Sequence, residues 1–366
     1  WARLVQMRTW LAWVWGRPDE RAAALSALGR LERLAPDAPE LHYAQGLWLY
    51  YGVQTFEEAL GEFDVLAADP WPDDPEVMLY RGATYRRLGR WDESLRDWER
   101  ALERDPANGF TVRNLGGSYS MMRRFGEAER YSRLAVTLEP ELPVHWWGLI
   151  FTRLCRGDLE AAVSAVDSAR IHLGEERLES GGWWALWQVY SGRVSEVLPL
   201  YQELYREPGS LDGTWLLSWD LGLAGAAAAG SATIVHGLAD TLRAGAERAL
   251  PPGSTGYAAH RSRLLTQLAV AHAYLGSDST AIRLTREAMQ EYPVSRDALW
   301  GANRVLAAAH VDAVVGHLDD AVDRLRYLLS IPAEGVTVPL LRIDPRWHRL
   351  RDHPGFQALL EEAEPS

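Results

Sequence analysis

Four residue types recur 34 positions apart. Gly82, Tyr85, Ala101 and Pro106 are followed by Gly116, Tyr119, Ala135 and Pro140. Ser94 becomes Ala128, again small, and a second step gives Ile150, Ala162, Ala169 and, in register with Gly89, Gly157. Backwards, Gly46, Ala59, Phe63 and Pro70 keep the order with a two-residue stretch around "PWPDDPE". A helical period explains the large apolar residues between these marks. The small residues at fixed places require a second helix packed very close. Two helices, a glycine turn and a proline stop make a hairpin that cannot bury its own face, so it has to stack on a neighbour.

This period and these positions resemble the tetratricopeptide repeat, most clearly over 75–108 and 109–142. The resemblance implies an all-α chain: a right-handed α-solenoid of about nine helical hairpins. Residues 1–176 read as an N-terminal array, with a weakened first repeat marked by Ala12, Trp15, Ala24 and Pro36. Residues 177–256 read as degenerate hairpins, with Gly192 at a turn, Pro208 after a stop and "PPGSTG" as the main internal break. The pattern recovers over 257–332 through Ala271, Tyr274, Ala281, Ala288 and Pro293, then Ala309, Gly316, Ala321 and Pro332. Residues 333–366 suit a helical cap, because Trp347, Leu350, Phe356, Leu359 and Leu360 can cover the last stacking face. In such an array each hairpin is expected to couple only to its neighbours.

The ending "LRIDP-x-W…P-x-F" resembles the C-terminal end of repeat regions in bacterial signalling proteins. In those, a serine/threonine kinase, adenylate cyclase, winged-helix or TolB-like module precedes the repeats. The sequence opens at Trp1 inside a helical pattern, so a fragment of a larger protein is expected.

Composition narrows the chemistry. All 38 basic residues are arginine, which removes Schiff-base lysines and the lysine of phosphate-binding loops from this stretch. A net charge of −12 argues against nucleic acid as the main partner. No run approaches the roughly 18 apolar residues of a membrane span. The single cysteine, Cys155, rules out an internal disulfide and fits a reducing, cytoplasmic setting, with an extracytoplasmic one as the alternative if a span lies upstream. "GAAAAGS" at 225–231 lacks the lysine and preceding strand of a phosphate loop. The ten histidines form no metal-ligand pattern, and His310 and His317 are parted by a turn at Gly316. No catalytic residue, cofactor or metal is expected.

What remains is a binding surface. In the family it resembles, the first helix of each hairpin lines a concave groove at set positions. Carried onto this sequence those positions include Tyr43, Tyr50, Tyr51, Arg86, Arg87, Arg113, Trp147 and Phe151. Aromatics with arginine favour tight recognition, and guanidinium groups hold carboxylates in a two-pronged fork. Arg86, Arg87 and Arg113 are therefore expected to share one ligand carboxylate or phosphate. The three-repeat clamp for a peptide C-terminus is not expected, since Leu79, Ala83, Val144 and Gly148 fill its flanking positions. The leading expectation is a non-catalytic scaffold or sensory region that holds a protein or peptide in the groove. The alternatives are a self-assembling repeat protein, forming a homo-oligomer or filament, and a sensor of a small molecule or glycan at Trp183, Trp184 and Trp187. A closed aromatic pocket in place of an open groove would favour the sensor.

Overall fold

The computed structural model describes residues 1–15, 18–179, 182–206, 220–250 and 258–362. Hairpin follows hairpin: α1 (Ala2–Trp15) with α2 (Pro18–Leu34), then α3 (Pro39–Leu47) with α4 (Phe56–Ala68). Next come α5 (Pro75–Arg87) with α6 (Trp91–Arg104), α7 (Gly109–Met121) with α8 (Phe125–Leu138), and α9 (Pro143–Arg156) with α10 (Leu159–Leu173). After the short α11 (Glu175–Glu179) stand α12 (Gly182–Tyr190) with α13 (Val194–Arg206), and α14 (Leu221–Ala228) with α15 (Ala232–Ala249). The last pairs are α16 (Ala258–Tyr274) with α17 (Asp278–Glu291), and α18 (Trp300–Val315) with α19 (Leu318–Ser330). A tail of α20 (Val338–Ile343), a 3₁₀ turn (Pro345–Leu350) and α21 (Pro354–Glu362) completes an all-α solenoid with no strand among the described residues. Pro208 and the "PPGSTG" break lie outside the described residues.

Local chemistry sets the hairpin boundaries. Asp74 caps α5, accepting from the N–H groups of Glu76 and Val77 at 2.9 Å, with Pro75 at the first helical position. Gly89 ends the helix with φ +75°, a left-handed turn that costs glycine little. The expected close crossings are present. A Cβ on Gly82 would stand 2.8 Å from the Trp98 ring, and one on Gly116 would stand 3.1 Å from Ser132 Oγ. Trp98 is fully buried in that gap and donates its indole N–H to the Leu79 carbonyl at 2.9 Å. Between Gly46 and Ala59 the sequence carries one residue more than between Gly82 and Ser94. The helix takes it up by widening into a π-helical stretch, Trp48–Val53, which directs Tyr50 and Tyr51 inward.

The tail packs on the last hairpin. Trp347, Leu350, Phe356, Leu359 and Leu360 form one core with Leu325 and Leu328. It is also pinned by buried charge: Arg346, bonded to Asp344 at 2.6 Å within the tail, reaches Asp220 of the array at 3.6 Å, and Asp220 contacts His310 Nδ1 at 2.7 Å.

Neighbour-only coupling is not what the molecule shows. The linker between α17 and α18 and the linker between α19 and α20 both cross the concave side to the N-terminal array. The Ala298 N–H donates to the Arg87 carbonyl at 2.8 Å, and the Ala333 N–H to the Met121 carbonyl at 3.3 Å. Arg123 donates to the carbonyls of Leu328, Ile331 and Val336 at 2.8, 3.0 and 3.2 Å. The superhelix has turned far enough that its late hairpins face its early ones, and sequence distance no longer measures spatial distance.

Candidate functional site

The crossing linkers turn the groove into a chamber of about 460 Å³. One wall comes from α5, α7 and α9; the facing wall comes from Leu299, Trp300 and Glu334. Its volume falls in the range of small-molecule sites, roughly 300–1,000 Å³. Glycines give the chamber its width. A Cβ on Gly117 or Gly148 would have nothing within 4 Å, so both positions look into open space. The adjacent pair Gly116–Gly117 thus serves two purposes, one glycine packing against α8 and the next leaving room in the chamber.

The eight expected groove residues separate into three groups. Tyr43 and Trp147 lie in the core, Tyr43 against Phe63, Trp71 and Tyr80, and Trp147 against Trp184. Neither borders the chamber. Tyr50, Tyr51 and Phe151 border it while being mostly buried. The three arginines reach it in different states.

Arg87 is committed to the fold. It is 2% exposed and pairs at 3.0 Å with Asp297, which is fully buried. Its guanidinium also lies over Phe56 at 4.8 Å and Trp300 at 5.5 Å. Burial is the largest influence and pulls its pKa down, but Asp297 with Tyr50, Tyr292 and Tyr51 together outweigh it and the net direction is up. Asp297 is itself anchored, accepting from the Tyr292 hydroxyl at 2.8 Å and from the N–H groups of Leu299 and Trp300 at 3.0 and 3.1 Å. Arg87, expected to share a ligand with its neighbours, borders the chamber with its charge already paired to Asp297 of the linker.

Arg86 and Arg113 differ. Arg86 lies over Trp98 at 4.7 Å and donates to Asn114 Oδ1 at 3.1 Å and Ser118 Oγ at 3.3 Å. Both of these acceptors are neutral, and its Nε has no partner among the described residues. Burial, unrelieved by any contacting carboxylate, lowers its pKa to about 10. Arg113 rests over Phe110 at 4.9 Å, and burial lowers its pKa too. Glu334 is the carboxyl that acts on both arginines, without reaching ion-pair contact, and burial raises its pKa to about 7; Glu139 also acts on Arg113, and more strongly than Glu334 does. Two cations and one reluctant anion therefore face one another across the chamber.

Sequence reasoning missed Glu334, Trp300 and Arg123. Arg123 had a legible signal, because it stands where the flanking repeats carry Gly89 and Gly157. It keeps the left-handed turn, φ 60°, without being glycine, and its three bonds to the linker hold it there. Of the three tryptophans considered for a small-ligand site, Trp183 borders the chamber, while Trp184 and Trp187 are buried in the core.

Among the described residues no cluster of histidine, cysteine or carboxylate side chains could hold a metal, and no helix is long and apolar enough to cross a membrane. Residues 75–108 match the family model of the tetratricopeptide repeat. No curated protein matches the sequence. Among solved structures, similarity is found to the APC/C hetero-tetramer Cut9–Hcn1, at 17% identity over 95% of this chain and 60% of that one, with a TM-score of 0.43. Yeast Tom70 is similar at 11% identity over 94% and 62%, TM-score 0.38. A monomeric mutant of IFIT1 with Gppp-AAAA is similar at 15% identity over 99% and 78%, TM-score 0.43. The chain spans about 60% of the length of the first two. It is a helical-repeat protein that carries a tetratricopeptide repeat at residues 75–108 and stacks further hairpins on either side of it.

Proposed function

We propose that this chain is a non-catalytic recognition module, of the kind a bacterial signalling protein carries beside its effector domain, and that its ligand enters the arginine-lined chamber. Helical-repeat arrays use their concave face for recognition. The observation that carries the reading is the occupation of that face by the chain's own linkers, 292–299 and 331–337. An extended peptide running along the groove would have to displace the buried Arg87–Asp297 pair. A small molecule does not.

The glycine walls supply the test. Gly117→Leu and Gly148→Leu fill the chamber, and each should hold or raise stability, since leucine is a better helix former than glycine, which lies roughly 0.8–1 kcal/mol below alanine, the best of them. A panel of small acids, amines and neutral compounds is screened by ligand-observed NMR against wild type and the filled variant. The expected outcome is at least one compound held by wild type and lost from a filled variant of unchanged melting temperature. Compounds that bind both forms equally would place recognition elsewhere. The outer face of α10, where Leu159, Val163 and Ile171 are exposed, supports self-association as a second reading. Light scattering at rising concentration, with Ile171→Glu as the comparison, separates the two.

A further inference from the structure

Resting on the chamber as the binding site, we infer that its ligand is a small monocarboxylic acid with an aromatic or branched apolar body, whose carboxylate sits between Arg86 and Arg113 and makes Glu334 take up a proton.

The charge count selects a single negative charge. With Arg87 neutralised by Asp297, the charges that act here are Arg86 and Arg113 against Glu334 and, on Arg113, Glu139. Once Glu334 is protonated, one positive charge stands uncompensated, and one added carboxylate balances it. A phosphate dianion would overshoot. The donors are available in number: Arg113 donates no hydrogen bond to any described residue, and Arg86 spends two of its donors on neutral acceptors. Carboxylate is the partner that a guanidinium fork fits in two parallel bonds.

The walls select the body of the ligand. Phe110, Phe151, Trp183, Leu299 and Trp300 offer flat and branched apolar surface within a few side-chain lengths of the arginines. That surface is of little use to a sugar phosphate or a polyamine. It suits an aryl or branched alkyl group.

Glu334 adds a readout that an ordinary anion site lacks. Its linker, 331–337, carries no other titratable group. From α5 it is faced by Arg86 and from α7 by Arg113. From α9 the buried Cys155 thiol lies near, with Arg123 beyond it and bonded to the linker carbonyls. The remaining ionisable neighbour on α9, His145, is paired with Glu139 at 2.7 Å, and Asp297 on the other linker is paired with Arg87. Gly335 fixes the carboxyl's approach: at φ +68° it turns the chain so closely over Phe151 that a Cβ would stand 3.3 Å from the ring. Glu334 and a bound carboxylate would then compete for the same two guanidinium groups. Like charges at one site raise the pKa of the weaker acid, and a carboxyl already poised near 7 is the one that protonates.

The probes are indole-3-propionate, its primary amide and inorganic phosphate, titrated calorimetrically into the full chain. The acid should bind at least about tenfold more tightly than the amide. Its affinity should fall roughly tenfold or more between pH 6 and pH 8, with the heat depending on the buffer's ionisation enthalpy as protons are taken up. Glu334→Gln should flatten that pH profile while keeping affinity for the acid. Arg113→Met should weaken the acid by more than about tenfold at unchanged melting temperature, and Gly148→Leu should do the same if Arg113→Met folds poorly. An amide that binds as well as the acid, a phosphate that binds more tightly, or a pH-independent affinity would overturn the inference and leave the chamber as a site for other chemistry. Failure of every compound in the wider panel to distinguish wild type from the filled chamber would instead overturn the chamber reading itself.

Discussion

Two kinds of linker join the hairpins, and they differ in what they touch. In the N-terminal array, residues 105–108 and 139–142 run straight from one helix stop to the next cap. Asn108 there closes its own turn, bonding Asp105 at 3.0 Å and the Thr111 N–H at 2.9 Å. In the C-terminal half, residues 292–299 and 331–337 begin with the same proline stop, at Pro293 and Pro332, then continue across the superhelix. One kind connects; the other spans. The repeat period therefore accounts for where the helices go, while the few extra residues after two late prolines decide whether the concave face is open.

The Arg87–Asp297 pair is where this difference should be largest. Arg87→Met leaves Asp297 buried without its cation, and breaking such a pair from one side costs about 3–5 kcal/mol. Urea unfolding should show a lower midpoint for both halves together, because the pair ties α5 to the start of α18. Arg87→Met combined with Asp297→Leu should recover part of the loss. A variant that loosens only residues 292–300, judged by hydrogen exchange, would show that the spanning linker merely rests on the N-terminal array.

Gly116 and Gly117 sharpen the comparison at a smaller scale. Gly116→Leu drives a side chain into Ser132 and should cost roughly 1–3 kcal/mol. Gly117→Leu, one residue on, points into the chamber and should cost nothing measurable by thermal melting. Equal losses in the two would mean that α7 is rotated about its axis from the arrangement described.

How much of this was legible in the sequence follows from the same contrast. Gly82, Gly116, Trp98 and the terminal prolines announce the hairpins because their roles are local, set by the helix three or four turns away. Arg86 and Arg113 were legible as groove residues for the same reason. Tyr43 and Trp147 have the right spacing but turn into the core, since large rings at a helix edge bury against the next hairpin when space allows. Glu334 and Asp297 were not legible. Each lies about 200 residues or more from the arginines it faces, and only the closure of the superhelix brings them together. The one trace of that closure in the sequence is Arg123, a long cation at a turn where glycine belongs.

The smallest expected effect separates two glutamates that both face arginines. Glu129, in the regular array, touches Arg133, Arg153 and Arg156 at 2.9, 3.2 and 2.9 Å. Burial works to raise its pKa, but the three guanidinium groups outweigh it and the net direction is down. Glu334 faces Arg86 and Arg113 without contact, and burial wins, raising it to about 7. The signs of linkage are therefore opposite. Glu334 contributes its stability fully below the ordinary carboxyl range near 4.5 and loses it as pH rises through about 7. Glu129 contributes above that range and loses its contribution as pH falls through its lowered pKa. Glu334→Gln should accordingly gain in melting temperature over wild type between pH 5 and pH 8. Glu129→Gln should fall behind wild type at neutral pH and draw level as the pH drops through the lowered pKa of Glu129. A Glu334→Gln difference that stays constant from pH 5 to pH 8 would mean the carboxyl already has a cation in contact, and that the spanning linker supplies a finished ion pair where the chamber offers two guanidinium groups that no carboxylate touches.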